Sequence, residues 1–101
     1  MDLNQAVQTL MTPDRKKVYL SRRREDFDHC RTAILLRDFE TLKNIAHKVK
    51  GTARSFGFAE LETVVIALEL AAIAKDERKV RDQLGKFSEI LENSRETVES
   101  K

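Results

Sequence analysis

His47, Lys50, Gly51 and Glu69 are the residues of this chain whose types and spacing could do chemistry. An imidazole can act as a nucleophile through one ring nitrogen while a hydrogen bond holds the other and fixes the tautomer. Three residues on, Lys50 shares a helix face with His47, where its ammonium could neutralise a phosphoryl oxygen as a mobile point charge. Gly51 follows His47 by one turn. A glycine inside a helix costs about 1 kcal/mol relative to alanine. Helical side chains lean toward the N-terminus and cover the preceding turn, so a missing side chain here leaves the ring clear for a bulky group or a partner's backbone. Glu69 interrupts an apolar run, VVIAL before it and LAAIA after it, so it must sit at the edge of the core or bear the cost of burial.

The elements that must hold these groups are helices. With 101 residues the chain has room for about one core. It is 36% charged and 41% hydrophobic with three glycines and one proline, a composition that favours helix over strand. We read residues 1–101 as a single domain, with a short helix or arm over 1–12 and a bundle over 13–98. Leu3, Val7 and Leu10 mark a short helix at 3–11, and Thr12-Pro13 is an N-cap followed by proline at the favoured first position of a long helix to about Leu36. Leu20, Phe27, Cys30 and Ile34 give that helix its inward face, weakened by Arg23 and Arg24. Asp38 caps the next helix, which is expected to run to Phe56 and to end at Gly57 in a left-handed C-cap. A further helix spans about Ala59 to Ala74 with Leu61, Val64, Val65, Leu68 and Ala72 inward. Asp76 starts the last, marked by Val80, Leu84, Phe87 and Leu91. The expected fold is all-α, an antiparallel four-helix bundle with a short extra N-terminal helix.

On a wheel of about 100° per residue, Leu42, Ile45, Val49, Ala53 and Phe56 lie on the side away from His47, so burying them turns the ring outward. Lys43, Asn44, Lys50, Gly51, Arg54 and Ser55 surround it. Composition alone would make this an ordinary surface histidine. Against that stands the hairpin: if Gly57 and Phe58 form the turn, residues 47 and 69 are equidistant from position 58 and sit at one height. Glu69 would then face His47 across the groove, accept its Nδ1–H and present Nε2 as the nucleophile. A snorkelling glutamate on a helix edge is the plainer alternative.

The segment His47-Lys48-Val49-Lys50-Gly51-Thr52-Ala53, followed by Phe56-Gly57-Phe58 and Leu61, resembles the signature of histidine phosphotransfer (HPt) domains, H-x-x-K-G-[ST]-x with a downstream G-x-x-x-L. The resemblance implies that His47 is the phosphorylated residue, that Lys50 and Gly51 match the motif lysine and glycine, and that Glu69 matches the polar residue of the neighbouring helix. The SFGF turn and the glutamate lean toward the phosphotransfer domains of chemotaxis-type kinases. Arg54 departs from the pattern, since that exposed position is often smaller in the family.

The chain has no glycine-rich phosphate loop, so it should receive its phosphoryl group rather than make it from ATP unaided. The implied partners are a sensor histidine kinase and a response-regulator receiver domain, the partner supplying Mg²⁺ and the catalytic groups, with no cofactor or metal of the chain's own. Docking is expected around His47 through Lys43, Asn44, Lys48, Arg54 and Ser55. A formal charge of +2, from 19 basic and 17 acidic residues, gives no electrostatic case for nucleic acid. The Arg22-Arg23-Arg24 run, followed at once by Glu25 and Asp26, reads as a solvated helix face. The single cysteine, Cys30, is expected to be buried and reduced; the start MDLNQAVQ lacks a signal-peptide pattern, and Val64–Ala74 is too short to span a bilayer. A cytoplasmic monomer without a membrane partner follows as the expectation. The competing reading is a helical adaptor or dimerisation module that never carries phosphate. A metal or enzyme site is weaker, because nothing pairs His29 or His47 with a ligand set.

Overall fold

The computed structural model describes residues 13–99, and the short helix expected at 3–11, with its Thr12 cap, lies outside them. Four helices follow one another: α1 (Pro13–Leu35), α2 (Phe39–Ala53), α3 (Ala59–Ile73) and α4 (Glu77–Glu99). Each packs against its sequence neighbour, and α1 meets α4 to close an antiparallel four-helix bundle. No helix is long and apolar enough to cross a membrane among the described residues.

The turns are local chemistry. After α1, the amides of Arg37 and Asp38 donate to the carbonyls of Ile34 and Ala33, with Arg37 left-handed at φ 54°. The turn after α3 repeats this with Lys75 and Asp76, at φ 55° for Lys75. In both, the left-handed residue hands over to an aspartate that caps the next helix: Asp38 accepts from the Thr41 amide, and Asp76 from the Lys79 amide. The hydrogen bonds from Thr41 hold the Asp38 carboxyl below the usual aspartate range. At the α2–α3 turn Gly57 takes the left-handed position, φ 87°. Phe58 provides no side-chain cap; instead Phe56 and Phe58 stack on Tyr19 of α1, with ring centroids 4.1 and 5.7 Å away.

Helix α2 ends at Ala53, three residues short of the expected Phe56, because the Gly57 and Phe58 amides turn back onto the carbonyls of Arg54 and Ala53. Its buried positions are Leu42, Ala46, Val49 and Ala53, a 4-3-4 spacing characteristic of a packed seam. Ile45 and Phe56, expected inward, are only half-buried, and Ala46 takes the place the wheel gave them. Facing this seam are Leu61, Val65, Leu68 and Ala72 of α3 together with Val80, Leu84, Phe87 and Leu91 of α4, all buried as their spacing required.

α1 departs from its sequence reading, while α3 buries the face expected of it and leaves other apolar side chains outside. In α1, Leu20, Cys30 and Ile34 are buried as expected and Phe27, expected with them, is only half-buried, while Tyr19, Arg23, Asp26 and Ala33 are buried too. Arg23 is thus not part of a solvated arginine face: its Nε lies 2.9 Å from Asp26 Oδ2 and its guanidinium stacks over the Tyr19 ring at 4.5 Å. Burial and the nearby Asp26 carboxylate push the Cys30 thiol up to about 12, so it stays an inert thiol of the core. In α3, a sequence apolar nearly all round leaves Ile66, Leu70 and Ile73 exposed.

Candidate functional site

The mid-section of α2 projects side chains to both of its packed neighbours, and an acidic residue waits on each. Toward α3, His47 Nδ1 is 2.8 Å from Glu69 Oε2, and Lys50 Nζ donates to Glu69 Oε1 at 2.7 Å. The equal-height placement about position 58 is therefore present in three dimensions. One carboxylate holds both the ring and the lysine, one through each oxygen. The Glu69 side chain is 14% exposed while that of His47 is 71% exposed, so the acid forms the floor of the site and the ring stands above it in solvent. The hydrogen bond from Lys50 holds the Glu69 carboxyl below its ordinary value, with His47 adding to this and partial burial opposing it.

Lys50 is therefore not the free cation of the sequence reading. Its ammonium is committed to Glu69, and reaching an oxygen on the outer edge of the ring requires it to share or leave that carboxylate. The three N–H donors of an ammonium allow sharing. A Cβ built on Gly51 would meet nothing within 4 Å, so among the described residues no packing demands glycine there. Gly85, in the middle of α4, is equally open, so a bare mid-helix glycine does not by itself mark a site.

Toward α1, Lys48 Nζ donates to Asp26 Oδ1 at 2.8 Å. This residue, expected on the surface around the histidine, is instead drawn to the far side of α2. Tyr19 and Thr52 hydroxyls lie 2.8 Å apart beside it, and Arg23 Nη1 reaches Thr52 Oγ1 at 3.5 Å. Sequence reasoning missed this cluster. The signal was available: 26 and 48 are equidistant from Arg37, the left-handed residue of the α1–α2 turn, as 47 and 69 are from Phe58.

The remaining expected surface residues keep to the His47 side. Asn44, Arg54 and Ser55 are exposed, Lys43 pairs with Glu40 at 2.9 Å, and Arg54 Nε lies 3.6 Å from Glu62 Oε1. His29 is exposed on α1, and among the described residues no three His, Cys, Asp or Glu side chains converge as a metal site would need.

This arrangement is an exposed imidazole with one nitrogen held by a carboxylate, the other turned outward, and a cation within reach. It can accept an electrophilic group at Nε2 and release it again, and no glycine-rich phosphate loop lies among the described residues. Among known proteins, a family model described as the Hpt domain matches residues 16–98. No curated protein and no solved structure matches the chain.

Proposed function

The chain belongs to the Hpt domain family, and from that premise we propose that His47 is its phosphorylated residue and Nε2 the atom that carries the group. Members of the family take part in histidine phosphotransfer in phosphorelays, meeting kinases and response regulators as carriers rather than as kinases. The observation that supports the residue assignment is the 2.8 Å contact between His47 Nδ1 and Glu69 Oε2. A proton on Nδ1 donated to that carboxylate leaves the lone pair on Nε2 pointing outward.

In the proposed step, the bond between phosphorus and an aspartyl oxygen of a receiver domain breaks as the bond between phosphorus and Nε2 forms, close to in line. The aspartate departs as a carboxylate, and no proton has to leave Nε2. Positive charge grows on the imidazole as it is phosphorylated, and Glu69 stabilises it from the other nitrogen. Lys50 offsets charge on the phosphoryl oxygens while still sharing Glu69, and Gly51 leaves the approach open. The same step in reverse passes the group to the receiver domain of a response regulator, and the ATP of a separate sensor kinase is the other source. Mg²⁺ and the remaining catalytic groups belong to the partner. Lys43, Asn44, Arg54 and Ser55 border the ring as docking contacts, with Lys48 at the far edge, and the carrier works as a cytoplasmic monomer.

The test is intact-mass and acid-lability analysis of wild type and His47→Ala after incubation with phosphoramidate, with phosphorylated receiver domains, and with a kinase core plus ATP. The expected result is one acid-labile, base-stable phosphate on the wild type and none on His47→Ala. Phosphate that persists on the variant moves the site elsewhere. If no donor labels the wild type, the adaptor reading takes its place.

A further inference from the structure

α1 leaves two large aliphatic side chains in solvent, Leu35 at its last position and Val18, 56% exposed, near its start. Val18 lies in a groove of about 620 Å³ that follows α1 from Asp14 to Arg23. Lys48 and Thr52 of α2, and Phe56 in the turn after it, form the opposite side. The wall is apolar where Val18 meets the stacked rings of Tyr19 and Phe56. The residues just before α1 are patterned to cover such a wall. On a wheel of about 100° per residue, Leu3, Ala6, Val7, Leu10 and Met11 fall within one arc of about 140°, and Asn4, Gln5, Gln8 and Thr9 take the rest. A helix of that length is marginal alone in water, so its apolar face needs a surface.

We infer that residues 3–11 form a helix that folds back antiparallel to α1 and seats Leu3, Val7 and Leu10 in this groove. Direction, level and length select that occupant. Pro13 disfavours helical backbone at the residue before it, so α1 starts afresh there and a preceding helix points elsewhere. Residues equidistant from a turn meet twice in this bundle, 47 with 69 and 26 with 48. By the same arithmetic Val7 and Val18 are equidistant from the Thr12–Pro13 bond, which brings the middle of the apolar arc to the exposed valine. Nine helical residues span about 13.5 Å, the same length as the groove along α1 from Asp14 to Arg23. The rim carries Asp14 as well as Arg15 and Arg22, so charge decides little and the apolar fit selects. A segment joined covalently to the mouth of the groove also holds a large advantage in effective concentration over any free partner. The inference stands apart from the carrier reading: the groove lies on the side of α2 away from Glu69, and the test needs no phosphate.

Thermal unfolding of the full chain, followed by circular dichroism, is the test. Lysine is a better helix former than valine, so at an uncovered position Val18→Lys leaves Tm unchanged or raises it. Covered by the segment, Val18→Lys should lower Tm by about 5 °C or more, and Val7→Lys, on the other side of the contact, by a similar amount. The double variant should lose little more than either alone, because both changes remove one contact. Gln8→Lys, on the polar face of the segment, should stay within about 2 °C of wild type. Tm should also be independent of protein concentration, as a contact within one chain requires. An unchanged Tm in Val18→Lys or in Val7→Lys overturns the inference, as does a fully additive loss in the double variant. Val7→Lys lies outside the bundle and decides the matter even if Val18→Lys fails to fold. A Tm that rises with protein concentration overturns it in favour of the same segment from a second copy.

Discussion

Asp26 and Glu69 stand on opposite sides of α2 and are built alike. Each is a mostly buried carboxylate from a neighbouring helix. Each holds two basic side chains: Arg23 at 2.9 Å and Lys48 at 2.8 Å for Asp26, Lys50 at 2.7 Å and His47 at 2.8 Å for Glu69. Each also reaches α2 at a separation of 22 residues across a turn. Their consecutive partners Lys48 and His47 diverge by about 100° around the same helix. The difference lies in what the carboxylate holds. Around Asp26 both cations end at the carboxylate, Arg23 is buried and Tyr19 and Thr52 close over them, which makes a clamp between α1 and α2. Around Glu69 one of the two partners is a ring with a second nitrogen, and that nitrogen faces solvent. One electrostatic device serves as a fastening on one side and, in our reading, as a reactive centre on the other.

The largest expected effect breaks the fastening. Asp26→Asn leaves the Arg23 guanidinium buried without its counter-charge and should cost about 3 kcal/mol in denaturant unfolding, the scale for breaking a buried pair. His47 in the folded fraction should still be labelled by phosphoramidate at the wild-type rate. A loss of labelling would show that the two sides are coupled through α2.

Glu69→Ala should do the reverse. Its stability cost is expected below about 1 kcal/mol, since Lys50 and His47 can both turn to water, whereas labelling of His47 should slow about tenfold, or ~1.4 kcal/mol in the barrier. The Glu69 carboxyl is held below its ordinary value of 4.5, first by Lys50. Its stabilisation is therefore fully present above that value and lost as pH falls through the lower folded-state value. Unfolding curves of wild type and Glu69→Ala should accordingly differ at pH 7 and converge below pH 4.5; a gap that persists in acid would mean that packing, not charge, sets the difference.

The smallest effect compares the two lysines. Lys48→Met and Lys50→Met each remove one partly exposed ion pair and should each cost about 0.5 kcal/mol. Only Lys50→Met should slow phosphorylation, by roughly threefold, as the loss of one charge-assisted hydrogen bond to the phosphoryl oxygens would. Equal slowing in time courses followed by mass would show that general positive potential, and not the position of Lys50, assists the reaction.

The helices differ in how far their sequences revealed them. α2 and α4 carry strong apolar stripes against polar backs, and their inward residues could be named in advance except that Ala46 was missed and Ile45 and Phe56 are only half-buried. α1 is polar almost all round and α3 apolar almost all round, so spacing named Leu20, Cys30 and Ile34 in the one and Leu61, Val64, Val65, Leu68 and Ala72 in the other as inward without marking where either face ends. Those are the two helices where burial of Arg23 and Asp26 and exposure of Ile66, Leu70 and Ile73 came only with the fold. The pairing of His47 with Glu69 was legible because turn length sets the height of residues across an antiparallel hairpin. The same arithmetic about Arg37 would have paired Asp26 with Lys48. It was hidden because an arginine run followed by acids looks like a solvated face.

The sequence by itself determined the four helices of the bundle, the aspartates that start two of them, the turn at Gly57, the outward direction of His47 and the level of Glu69, because all of these depend on hydrogen bonds and spacings within a helix or across one turn. Only the tertiary structure decided how wide the buried faces of α1 and α3 are. That width is set by side chains packing from helices far apart in the chain, and it put an ion pair into the core on one side of α2 and left Ile66, Leu70 and Ile73 in solvent on the other.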